Sequence, residues 1–195
     1  MEQPSPIESK ATPSAMTVEG QLREMYGRVA YTHKTHEKMA DSYIARYKFI
    51  KTVEIALSAI TTGSLLLAVF GDSHEGAVVG AFLSTVLLGL TLYFKEGNLG
   101  EQSQKHTVVA SKLWGIREQL LSLLVDMRDG RAVEDIRVAR DAINGELEAI
   151  YKSAPRTTPK AYAAAQKALK EAEELYFSEN ELDHLLPEKL RSMRQ

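Results

Sequence analysis

Two stretches without a charged residue dominate the pattern of polar and apolar positions, Ile55 to Gly71 and Gly76 to Phe94. Leu65, Leu66, Leu67, Val69 and Phe70 cover every side of the first. Leu83, Val86, Leu87, Leu88, Leu90 and Leu92 do the same for the second. A core helix of a soluble domain normally keeps one polar stripe, because one side of it faces water. As helices the two runs extend about 26 and 28 Å, close to the roughly 30 Å of a bilayer's hydrocarbon core. Only Asp72-Ser73-His74-Glu75 separates them, so the helices must be antiparallel neighbours. The pattern predicts a transmembrane hairpin with spans at 53–71 and 76–94. Hydroxyls at Ser58, Thr61, Thr62 and Ser64 make the first span the less apolar one, and a pair of core helices in a soluble bundle is the competing reading.

Outside the hairpin the period is helical throughout. Residues 1–16 are rich in Pro, Ser and Thr and predict a disordered tail. From Thr17 onward Leu22, Met25, Val29, Met39, Tyr43, Tyr47 and Ile50 mostly keep a 3–4 spacing, with Thr32 and His36 filling the gap. No Gly or Pro interrupts that stripe near the membrane, so this stalk helix (17–52) should run directly into the first span. Tyr43, Tyr47 and Phe49 sit where interfacial aromatics belong. After the second span Gly97 and Gly100 predict a kink. A second stalk helix (95–129) then carries Val109, Leu113, Ile116, Leu120, Leu123 and Met127, leaves Arg117 off the stripe, and stops at Asp129-Gly130. Segments 18–52 and 95–129 are both 35 residues long and should pair as an antiparallel cytoplasmic stalk.

Two further helices follow within 131–195. Val133, Ile136, Ile143, Leu147 and Ile150 mark the first, which ends before Ala154-Pro155. Thr158-Pro159 caps the second, with a core face at Tyr162, Ala165, Leu169, Ala172 and Tyr176. A short turn through Leu182, Leu185 and Leu186 and a basic end at 189–194 close the chain. The fold class is all-α: a transmembrane hairpin continuing into a cytoplasmic antiparallel stalk, with further C-terminal cytoplasmic helices.

Charge sets the expected orientation. Arg46, Lys48 and Lys51 precede the first span and Lys95, Lys105 and Lys112 follow the second, while the connecting loop has neither Lys nor Arg. The positive-inside rule puts both termini in the cytoplasm. The net charge of −2, with both signs interspersed, gives no indication of a nucleic-acid partner. The absence of cysteine excludes a disulfide framework and a thiol nucleophile.

Candidate chemistry is sparse. His33, His36 and Glu37 share one helix, but His-Lys-Thr-His-Glu is not the metalloprotease order and offers no third ligand. Glu171, Glu173 and Glu174 read most simply as a wet helix face. No catalytic residue, cofactor site or metal site is predicted. Small residues in the membrane are the stronger signal. Gly76-Gly80-Ser84 and Ala77-Ala81-Thr85-Gly89 form ladders on adjacent faces of the second span, and Ala59-Gly63 forms one on the first. Such ladders let backbones approach closely, within one hairpin or between copies, and two of them leave a face over for a homo-oligomer. Thr61, Thr62, Ser64, Ser84, Thr85 and Thr91 are candidates to line a water-filled path, although each can equally bond back to its own helix.

The basic-aromatic helix with Tyr43-x3-Tyr47, the spans Val53 to Gly71 and Gly76 to Phe94, and the following helix through Trp114 together resemble the SLATT family. These are the SMODS- and SLOG-associating two-transmembrane effectors of bacterial defence. The resemblance covers roughly Gln21 to Met127. It implies an inner-membrane effector, not an enzyme, that forms a pore or disrupts the membrane when a nearby-encoded nucleotide-signal synthase or sensor reports infection. It supplies no ligand-binding residue. A membrane-anchored scaffold that tethers a soluble partner and conducts nothing is the alternative.

Overall fold

The computed structural model describes residues 17–71, 74–172, 174, 175, 177–185 and 187. Among these there are no strands. The predicted tail (1–16), Asp72-Ser73, Tyr176, Leu186 and the basic end lie outside the described residues.

Helix α1 (Val18–Phe70) runs 53 residues without a break, from the stalk through the first apolar span. Thr17 caps it, its hydroxyl accepting from the Gly20 N–H at 3.0 Å, which satisfies one of the orphan donors of the first turn. Helix α2 (His74–Gly97) returns antiparallel, so His74 and Glu75 belong to its first turn rather than to the loop. Helix α3 (Leu99–Arg128) continues it after a single residue. That residue, Asn98, has φ 33 in the left-handed region, a conformation Asn tolerates better than most side chains. The backbone break therefore falls at Asn98, whereas Gly97 and Gly100, where the kink was expected, stay helical. Helix α3 ends as expected, with Gly130 at φ 93 and its N–H donating to the Met127 carbonyl.

One antiparallel register joins α1 to α2 and α3. Ser64 and Leu65 lie against Gly80 inside the span, Ser103 donates to the Ala40 carbonyl at 3.0 Å, and His33 reaches the Ala110 carbonyl at 2.9 Å. The stalk is thus an uninterrupted extension of the hairpin.

Helix α4 (Val133–Ser153) completes the core of the stalk region. Leu22, Met25 and Val29 of α1, Val109 to Leu123 of α3 and Ile136, Ile143, Leu147 and Ile150 of α4 form one buried cluster. Val133 is half exposed, in contrast to the predicted stripe. Helix α5 (Pro159–Lys170) starts at the predicted cap, Thr158 accepting from the Ala161 N–H at 3.2 Å. It packs on α1 through Ala161, Ala165, Ala168 and Leu169, and Tyr162 lies at the edge of that contact with its ring 6.0 Å from Tyr31. Helix α6 (Glu179–Leu185) is a short terminal segment. Because α3 and α5 cover different sides of α1, burial there extends to Thr35, Met39 and Ala40, wider than one stripe.

Arg117 corrects an expectation. Its side chain is mostly buried, clamped on Glu118 at 2.6 Å, although it lies off the Leu113–Ile116–Leu120 seam. Its three-carbon stem lets it cover apolar surface while the guanidinium finds a carboxylate. Leu120, with no exposed surface, is the sharper probe of the core. Leu120→Asp should destabilise the cytoplasmic domain by several kcal/mol, since an unpaired carboxylate replaces a leucine. Ser122→Asp, at an exposed position, should be near neutral. Chemical denaturation followed by circular dichroism compares them, and equal losses would contradict the seam.

Candidate functional site

The candidate site is the hairpin and the polar layer beneath it. Within the membrane, α1 turns Leu57, Thr61, Ser64 and Ala68 toward α2, which answers with Gly76, Gly80, Leu83, Leu87, Leu90 and Phe94. These positions alternate steps of four and three, so they stay on one side of each helix. A strict four-residue ladder cannot do that, because it turns by about 40° per step at 3.6 residues per turn. Hence Gly76 and Gly80 lie in the seam, while Ser84, the third rung, is exposed and Leu83 replaces it.

Gly80 has a specific reason to be glycine. A Cβ there would meet Leu65 Cδ2 at 3.0 Å and Ser64 Cβ at 3.6 Å, both on the facing helix. The other ladder points away. Ala77, Ala81, Thr85 and Gly89 are all exposed, as are Ala59 and Gly63 on α1. A Cβ added at Gly63 or Gly89 would meet nothing within 4 Å. The nine small residues therefore divide between a seam internal to the hairpin and an outward face without a partner in this chain.

The six hydroxyls divide too. Thr61 is buried in the seam, and its Oγ1 has no hydrogen-bond partner. Ser64 is half buried on the same side. Thr62, Ser84, Thr85 and Thr91 are exposed. Thr62, Ser64, Ser84 and Thr85 each donate to the carbonyl four residues earlier, at 2.8 to 3.0 Å. Outside water these self-bonds satisfy the hydroxyls at little cost.

Below the membrane the seam becomes polar. His36 and His106 are only 2% and 1% exposed, and their Nδ1 atoms lie 2.8 Å apart across the α1–α3 interface. With both rings neutral, one Nδ1–H donates and the other Nδ1 accepts, so one proton lies between the two nitrogens. The Tyr43 ring stacks on His106 at 5.6 Å. His33 uses its own Nδ1 on Ala110, so His33 and His36 do not converge on a common point. Sequence reading placed both histidines on one helix but could not see His106, some 70 residues away, arrive opposite.

Glu174, read from sequence as a wet face, is instead a clamp. It lies beyond the end of α5 and pairs with Lys34 at 2.6 Å and Lys38 at 3.1 Å. Burial works against the Lys34 charge, but hydrogen bonds to Glu174 and Glu37 outweigh it and hold the pKa above its ordinary value. The same contacts, from Lys34 first, keep Glu174 below the usual carboxylate range. His33, Lys38, Trp114 and Glu174 edge an open groove here.

Burial pushes the His36 pKa down to about 4, with the neighbouring His106 and His33 adding to the shift, and burial lowers His106 as well. An unfolded histidine titrates near 6.5. Below that value the unfolded chain takes up protons that the folded seam refuses, so the stability contribution is complete above about 6.5 and is lost as pH falls toward 4. A shift of this size corresponds to roughly 3 kcal/mol. The melting temperature of the detergent-solubilised protein should therefore drop between pH 6.5 and 4.5, and His36→Leu should flatten that slope. An unchanged slope would assign the acid loss to other groups.

No curated protein and no solved structure matches this chain. A family model does, over residues 18–181, which takes in all of α1 to α5 and part of α6. The match thus runs well past Met127, where the sequence resemblance ended, in keeping with a buried core to which α4 adds Ile136, Ile143, Leu147 and Ile150. The two apolar helices agree in number with the two transmembrane segments in the family's description. The chain belongs to family 4 of the SMODS- and SLOG-associating two-transmembrane effector domains, a kind of effector associated with bacterial defence systems.

Proposed function

We propose that this protein is an inner-membrane effector that assembles through its hairpin and permeabilises the membrane on a nucleotide-type signal, arresting growth or killing the cell. Both termini face the cytoplasm, the hairpin spans the bilayer twice, and the signal comes from a synthase or sensor encoded nearby. The protein acts without catalysis.

The observation that carries this reading is the division of α2 into two small-residue faces. Gly76 and Gly80 pack within the hairpin, whereas Ala77, Ala81, Thr85 and Gly89 are exposed along the neighbouring face. In lipid no hydrophobic force drives helices together, so close backbone approach at small residues is the main source of association. A second copy on the outward face gives those residues a use. Exposed hydroxyls at Thr62, Ser84, Thr85 and Thr91 then become available to an aqueous path, while Thr61 and Ser64 remain inside the hairpin.

The two faces make separable predictions. Ala81→Leu should block assembly and abolish toxicity while membrane insertion stays intact, since Leu favours the bilayer by about 0.5 kcal/mol. Gly80→Leu should instead clash with Leu65 and disturb the hairpin itself. Cross-linking, dye leakage from cells and membrane fractionation read the three properties. If Ala81→Leu remains as oligomeric and as toxic as the parent, the outward face is not the assembly surface. Assembly without leakage would favour a tethering scaffold.

Orientation has its own check. Cysteines substituted at Ser73 and Ser178 should react with an impermeant maleimide from opposite sides, Ser73 from outside. Labelling of both from one side would end the hairpin topology.

A further inference from the structure

The cations at the cytoplasmic end of the hairpin are not treated alike. Lys51 is paired with Glu54 at 2.8 Å and Lys105 with Glu101 at 2.7 Å. Arg46, Lys48 and Lys95 have no carboxylate partner among the described residues. Two of these unpaired cations, Arg46 on α1 and Lys95 at the end of α2, line the same open groove of 1040 Å³. Leu92, Tyr93, Phe94 and Leu99 supply the rest of its wall that matters here.

The groove flanks the backbone break. Asn98 in the left-handed region breaks the helical ladder between α2 and α3, and the groove is lined from both sides of that residue, from Leu92 to Leu99. Its two ends differ in chemistry. Leu92 and Tyr93 are 57% and 75% exposed and belong to the apolar span, with Tyr93 set edge-on to Phe94 at 5.1 Å. Lys95 and Arg46 lie where the chain leaves that span. A ligand matching both ends needs an anionic group joined to an apolar chain.

We propose that this groove binds an anionic phospholipid of the cytoplasmic leaflet, its phosphate held by Arg46 and Lys95 and an acyl chain laid along Leu92 and Tyr93. The proposal rests on the reading that the hairpin spans the bilayer. A soluble anion would satisfy the two cations but leave the apolar end uncovered. A zwitterionic lipid would cover the apolar end but bring its own ammonium beside the guanidinium. Polybasic attraction to an anionic leaflet contributes about 1 kcal/mol per Lys or Arg, a factor of roughly five in affinity.

The test uses the full chain reconstituted in phosphatidylcholine nanodiscs doped with spin-labelled phosphatidylglycerol or spin-labelled phosphatidylcholine. The motionally restricted fraction of each label gives the selectivity. The parent should favour phosphatidylglycerol, and the preference should shrink as salt is raised, because screening shortens the reach of the charges. Arg46→Gln and Lys95→Gln should each cut the preference roughly fivefold, and both positions are exposed, so folding should be unaffected. Lys105→Gln, paired and outside the groove, should leave it unchanged. Three outcomes overturn the proposal: undiminished selectivity in the Arg46→Gln/Lys95→Gln variant, an equal loss in Lys105→Gln, or release of the label by millimolar inorganic phosphate. Failure of the parent to insert would instead overturn the transmembrane reading, and fractionation of the same sample distinguishes the two.

Discussion

The constraint on which the structure depends is that α1 cannot be interrupted. In the hydrocarbon core no water satisfies a freed N–H or carbonyl, so the backbone must stay helical wherever lipid surrounds it. Here the same helix also forms the longest wall of the helical domain beyond the spans, and it does so over 53 residues with no break between the two parts. At about 1.5 Å per residue it spans roughly 80 Å. Every other element takes its position from it. Helices α2 and α3 pair along its length in one register, and α5 lies on a second side of its cytoplasmic half. Helix α4 joins where α1 and α3 are already apolar toward each other.

The seam along α1 has three characters in succession, and each suits its surroundings. In the membrane it is built of Gly80, Leu83 and Leu87 against Leu57 and Ser64, where dispersion and close approach are the available forces. Farthest from the spans, from Val29 to Leu22, it is apolar, because there the expulsion of water contributes most. Between them is the buried layer of His33, His36, Ser103 and His106. Polar groups there have partners, so they need not weaken the seam, but their hydrogen bonds are directional and fix how α1 and α3 lie against each other. A slip by one residue would unmake the His36–His106, His33–Ala110 and Ser103–Ala40 bonds together.

What the sequence made legible is what depends on local pattern. Helix ends at Thr17, Gly130 and Thr158-Pro159 were readable because caps are local chemistry. The hairpin was readable because two charge-free runs a few residues apart leave little choice. The pairing of stalk helices followed from equal lengths about a tight turn. Contacts that join distant parts were not readable. Glu174 sits in an acidic stretch that looks like any solvated helix face, and only the end of α5 at Lys170 frees it to reach Lys34. The His36–His106 contact needs a register as well as a pairing, and no periodicity supplies the register to a single residue. Arg117 was legible as lying off the stripe, but not that its side chain would be mostly buried there beside Glu118. As for the small-residue ladders, their existence was plain, but which one faces inward depended on whether α2 keeps a strict four-residue step or a mixed one.

The uneven construction of the hairpin's two arms has a mechanical consequence. On one side α1 passes from membrane to cytoplasm as a continuous rod. On the other, α2 and α3 meet at Asn98, where one left-handed residue interrupts the helical ladder and an open groove lies beside it. A force applied to the cytoplasmic domain is carried into the membrane by α1 with little loss, since bending a continuous helix disturbs many hydrogen bonds at once. The same force on the α3 side meets a joint that can change angle by rotating about one residue's dihedrals. The two arms therefore cross the level of Arg46 and Lys95 differently, α1 with its helical ladder intact and the α2–α3 arm through the single break at Asn98.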